Sequence, residues 1–165
     1  MAVALDILRA WRHPRRVMAR HLDAGRREDR ALIFLMLGAF LMFLAQWPRL
    51  VRLAALEPGT PLDARLGGAL LGWLFIVPLA FYALAAVSRL LARVFGGRGN
   101  AYGARLALFW ALLASAPAWL LYGVLVGLVG PGGPVRAVGA LALGGFFVIW
   151  LASLFESETG GAPQP

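Results

Sequence analysis

The sequence predicts an all-α polytopic membrane bundle of four transmembrane helices, preceded by an N-terminal amphipathic interfacial helix. Three observations carry this reading. First, 61% of the 165 residues are hydrophobic and only 15% are charged, with a mean hydropathy of +0.75. A soluble domain shows water about 25% charged residues, and a disordered chain is poor in large apolar side chains. The composition speaks against the first class and more firmly against the second. Second, four apolar stretches without charge run over about 31–48, 66–88, 106–129 and 137–155. Each is close to the roughly 20 residues a helix needs to cross about 30 Å of hydrocarbon. None alternates apolar and polar as a barrel strand does, and helices then remain the way to satisfy every backbone group in lipid. Third, the 16 basic residues are all arginine and are unevenly placed. Residues 1–30 and the loop 89–105 together hold twelve, whereas the loops 49–65 and 130–136 hold four. Cytoplasmic loops collect Lys and Arg, so both termini are expected inside (N-in/C-in).

The elements follow in order. Residues 1–30 form a basic cytoplasmic segment. Val3, Ile7, Leu8 and Trp11 recur on one helical face. His13-Pro14 breaks that helix, because a residue before proline avoids the α region. A second short helix is predicted from Pro14 to about Ala24, with Pro14 at its first position and Gly25 as its stop. Val17, Met18, His21 and Leu22 share one of its faces. The pattern predicts an apolar face in lipid, with Arg9, Arg12, Arg15, Arg16 and Arg20 meeting anionic headgroups. The alternative is a helix packed on the protein's own loops. The first span is not a cleaved signal peptide, since about 30 residues precede it. Glu57-Pro58-Gly59-Thr60-Pro61 is a turn, and Gly130-Pro131-Gly132-Gly133-Pro134 is short enough to make spans three and four an antiparallel hairpin. Residues 156–165 are rich in Gly, Pro and Ser and read as a disordered cytoplasmic tail.

Within the spans, Gly68–Gly72 and Gly123–Gly127 are GxxxG pairs, and Ala140–Gly144 is a related small-residue pair. Such pairs let a second backbone approach closely, in the same chain or in another copy. Pro78 and Pro117 fall mid-span and are expected to kink their helices. Ser115 is placed to take a carbonyl that Pro117 frees. No Asp, Glu, Lys, Arg or His lies inside any span. Proton-coupled transporters and ion pumps need such groups, and that class is disfavoured.

Chemistry-bearing constellations are few. With no cysteine there is no disulfide, thiolate nucleophile or Cys-based metal site. His13 and His21, eight residues apart, do not have the spacing of a helical metal pair. Asp23, Glu28 and Asp29 lie among Arg26, Arg27 and Arg30 as surface ion pairs. Gly96-Gly97-Arg98-Gly99-Asn100 is a weak phosphate-nest candidate. As a loop between two membrane helices it needs no ligand, and an Asn-terminated turn with a helix start near Tyr102 suffices. No catalytic, cofactor-binding or metal-binding residue is assigned, and no cofactor is expected.

Several of these features, taken in order, resemble the Yip1 domain family of small multi-span membrane proteins. Pro14-Arg15-Arg16-Val17-Met18 is similar to the family's proline-led basic and apolar N-terminal segment. Gly96-Gly97-Arg98-Gly99 resembles its Gly-Gly-x-Gly signature, and Pro117 the proline that follows it. The stretch from Trp11 through Gln46-Trp47-Pro48 is similar to bacterial members, so the likeness covers about residues 10–155. It implies a helical bundle with a cytoplasmic N-terminus. Two departures stand out: many members have five spans against four here, and the Asp-Leu-Tyr-Gly-Pro type motif of eukaryotic members is absent. The GTPase-linked trafficking role of those members is therefore not carried over.

The expected function is that of a non-enzymatic integral membrane protein of Yip1-like type, organising membrane lipid or a partner membrane complex. The runner-up is an oligomeric channel or permease subunit for an uncharged or unidentified solute. A lipid-acting membrane enzyme comes third. Anionic lipid headgroups, a second copy or another membrane protein are the expected partners. Nucleic acid is not, because the positive charge lies where membrane insertion requires it.

Overall fold

The computed structural model describes residues 2–159. They form seven α-helices and no strand among the described residues. These are α1 (Ala2–Ala10), α2 (Pro14–Asp23), α3 (Glu28–Leu56), α4 (Leu62–Leu71), α5 (Val77–Val94), α6 (Ala101–Leu128) and α7 (Gly133–Thr159). A π turn over Gly72–Ile76 joins α4 to α5, making one continuous helix from Leu62 to Val94. That helix, α3, α6 and α7 are the four long and apolar enough to cross a membrane.

The local chemistry sets most boundaries. Pro14 opens α2, and Gly25 closes it at φ +84°, a left-handed conformation natural to glycine. Asn100 caps α6: its Oδ1 accepts the Gly103 N–H at 2.8 Å. The helices outrun their apolar stretches. α3 continues through Pro48 to Leu56, so the connection to α4 shrinks to residues 57–61. α7 runs to Thr159, and residues 156–159 of the expected tail are its last turn. The rest of that tail, 160–165, lies outside the described residues.

The prolines are accommodated differently. Pro78 lacks a donor, and its ring crowds the carbonyl four residues back. The chain widens into the π turn just before it, a recognised way to relieve such a clash. Pro117 sits inside a continuous α6. Ser115 Oγ donates to the Leu112 carbonyl at 3.1 Å, not to that of Leu113, which Pro117 leaves without its usual donor.

α6 is the axis of the bundle. Apart from Arg105, every residue from Tyr102 to Ala116 is buried. α3 packs along one side of it and α7 along another, while α5 touches it more lightly. Gly123 and Gly127 make the α3 contact possible. A Cβ at Gly123 would strike the backbone carbonyl of Ala45, and one at Gly127 would strike Pro48. This GxxxG pair therefore packs within the chain. Gly68, Gly72 and Gly144 have nothing within 4 Å, and those small-residue faces are uncovered.

The starts of α3 and α6 and the ends of α5 and α7 meet at one end of the bundle. Arg105 pairs there with Glu28, and Arg89 with Glu158 at 3.1 Å. The two termini of the four-helix unit are thus on the same side. At the other end, Arg52 donates to the carbonyls of Gly127 and Leu128 at 3.3 and 3.4 Å.

Candidate functional site

α1 and α2 are built into the bundle. The face of α2 carrying Val17, Met18 and His21 is buried, mainly against α7 and the core residues of α6 and α3. The expected insertion of this face into lipid is corrected here: protein covers it. On α1, Ala10 is fully buried and Ile7 packs on the core, while Leu5 and Leu8 face outward. The side chain of Trp11 anchors the turn. Its indole N–H donates to the Ala114 carbonyl at 2.9 Å, one residue beyond the carbonyl that Pro117 deprives of a donor. Its ring fills the space above Gly145, where a Cβ would collide with it.

Docking α2 divides the five arginines expected at the headgroups. Arg9 and Arg20 converge on Asp6, at 3.6 and 3.0 Å, and the Asp6 side chain is only 15% exposed. Their charge is partly neutralised inside the protein. Arg12, Arg15 and Arg16 have no carboxylate within ion-pair distance among the described residues. With His13 and Pro14, and with Ala152 of α7 as a floor, they line a surface concavity of about 410 Å³. The Arg15 guanidinium also lies 4.3 Å from the centroid of the Phe155 ring, a cation–π contact that holds it at the rim. All three are exposed, and an anion reaching this concavity would meet positive charge with no carboxylate of the described residues competing for it. Arginine forks suit phosphate oxygens in particular.

A polar clamp holds this arrangement. Arg30 reaches back from α3 and donates to the His21 carbonyl at the end of α2, and to the Tyr102 hydroxyl of α6 at 3.4 Å. His21 itself is buried, with its ring centroid 4.5 Å from that of Trp110 and 5.4 Å from that of Phe34. Burial first, and the neighbouring Arg30 charge second, lower its pKa to about 4. His21 is therefore neutral at physiological pH. Its role inside the fold was not legible from spacing alone, although its place beside Val17 and Met18 on one face was the available signal.

The glycine loop 96–100 holds an anion of the protein's own. Gly99 N–H donates to the Glu158 carboxylate at 2.8 Å, and Arg89 pairs with the same oxygen. A Cβ on Gly97 or Gly99 would collide with Glu158. The loop is thus filled by the end of α7, and the phosphate-nest reading gives way. Comparison of the chain with family models, with curated proteins and with solved structures gives no match.

Proposed function

We propose that this chain is a non-enzymatic integral membrane protein of Yip1-like type that organises anionic lipid, or a partner membrane complex, through its N-terminal shelf. The observation that supports it is that Arg12, Arg15 and Arg16, without an ion-pair partner among the described residues, line one concavity beside α7. Phosphate-bearing headgroups are the anions a membrane supplies in quantity. The N-in/C-in arrangement in a bacterial inner membrane places this shelf on the cytoplasmic leaflet, and the arginine bias across the loops supports that orientation.

The test is gentle purification of the full chain at native expression level, with mass spectrometry of co-eluting lipid and protein. Enrichment of anionic lipid over its share of the source membrane, or a stoichiometric membrane partner, is the expected result. Lipid of bulk composition with no partner would contradict the reading.

A further inference from the structure

A second cavity, with a lining separate from that of the arginine shelf, lies among the long helices. It encloses about 330 Å³ and touches all four long helices, a volume at the low end of small-molecule sites. Its floor is α3 and α6, where Met42 and Trp119 contribute. One wall is the α4–α5 helix with Trp73 and Phe81; the other is α7 with Leu143 and Phe146. Those two walls are joined by the Arg89–Glu158 pair at the end where α5 and α7 meet and otherwise approach each other little, so the cavity is a slot between two membrane-crossing helices.

The charged and amide side chains of the slot lie at one end, and elsewhere the Tyr122 hydroxyl and the indoles of Trp73 and Trp119 are the polar side-chain groups of an otherwise apolar lining. Its lining on α6 runs from Leu112 to Val126, about 20 Å of helix at 1.5 Å per residue. On α3, Met42 and Ala45 give way to Gln46 and then Arg49. Arg49 is exposed, and its hydrogen bond among the described residues is to Gln46 Oε1 at 3.4 Å. No carboxylate lies within ion-pair distance of it among those residues. Half of a hydrocarbon core is about 15 Å deep. The apolar length therefore fits a chain reaching from one surface to just past the bilayer centre, with a cation where that chain's headgroup would be.

We infer that this slot binds one acyl chain of an anionic phospholipid, its headgroup held by Arg49 and Gln46. The length match and the single cation at the mouth favour a lipid over an apolar side chain from another protein, which would bring no anion to Arg49. The site is independent of the N-terminal shelf. The two linings share no residue.

The test is native mass spectrometry of the full detergent-purified chain titrated with phosphatidylglycerol and, separately, with phosphatidylcholine of the same acyl chains. Wild type is expected to retain phosphatidylglycerol preferentially. Arg49→Gln, an exposed change that leaves the core untouched, is expected to reduce that preference about fivefold, the worth of one arginine near a headgroup. Leu143→Trp, which fills the slot, is expected to lower retention of both lipids. The triple variant Arg12→Gln/Arg15→Gln/Arg16→Gln is expected to keep the Arg49-dependent part, which separates this site from the shelf. Equal retention of the two lipids by wild type, or an Arg49→Gln chain indistinguishable from wild type, would overturn the inference.

Discussion

α6 and the continuous α4–α5 helix look alike as sequence and behave as opposites in the fold. Both are long, apolar and interrupted by one proline, and both carry a GxxxG pair. Yet 44% of the most apolar stretch of α6 is buried within the chain, against 6% for α4–α5. Gly123 and Gly127 on α6 are pressed against α3, while Gly68 and Gly72 on α4–α5 touch nothing. Apolarity decides that a helix can cross lipid, but it does not decide what the helix faces, because hydrocarbon tails and leucines are equally apolar. What separates the two helices is shape: close backbone approach on one, and an uncovered surface on the other.

The sharpest way to break that comparison is at its glycines. Gly123→Leu drives a side chain into a backbone carbonyl that cannot rotate away. It is expected to cost at least the 1–3 kcal/mol of ordinary overpacking, seen as a fall in detergent melting temperature. Gly72→Leu is expected to leave the melting temperature of the monomer unchanged. If Gly72→Leu destabilises the monomer as much, α4–α5 is packed in a way these contacts do not show. Next in size is Trp110→Ala. Trp110 is wholly buried and touches both His21 and Phe34. Its truncation is expected to cost about 3–5 kcal/mol and to loosen α2 before the long helices separate, as read by hydrogen exchange.

Acidification is expected to act at the same place. The folded pKa of His21 is depressed to about 4 from the ordinary 6.5. Its contribution is therefore complete above pH 6.5 and is lost as pH falls toward 4. Protonation would place a cation beside Arg30 and Arg20, and Asp6 is the one nearby carboxylate that offsets it. Proteolytic susceptibility of the α1–α2 segment should rise over that interval, and His21→Gln should remove the pH dependence. A flat response in wild type would show that α2 does not depend on a neutral His21. The smallest effect belongs to Asp6→Asn, which releases Arg9 and Arg20. Arg9 and Arg20 are both half exposed, and pairs screened in this way are worth about 0–1 kcal/mol. Stability should barely change, while anionic-vesicle binding should rise slightly.

The four spans, the break at His13-Pro14, the stop at Gly25 and the Asn100 cap were all legible, since each rests on local chemistry or on periodicity. The partners of each face were not. Val17, Met18 and His21 form an apolar face whether protein or lipid covers it, and only the fold shows that α6 and α7 do. Asp6 and Arg9 have the i,i+3 spacing of one helix, but Arg20 reaches Asp6 only because α1 folds against α2, and no spacing rule announces that. Glu158 lay in a stretch that read as tail by composition. Its burial against Gly99 and Arg89 became visible only when α5, α6 and α7 were brought to one end.

The chain has no cysteine, so a single cysteine placed at His13 reports from the shelf without interference. The most direct measurement is the emission of an environment-sensitive fluorophore on that cysteine, with the full chain reconstituted in vesicles of increasing phosphatidylglycerol content. The result expected is a shift that grows with phosphatidylglycerol, weakens with added salt, and is largely abolished in Arg12→Gln/Arg15→Gln/Arg16→Gln. A signal indifferent to phosphatidylglycerol, or equally strong in the triple variant, would contradict the claim that the shelf receives anionic lipid.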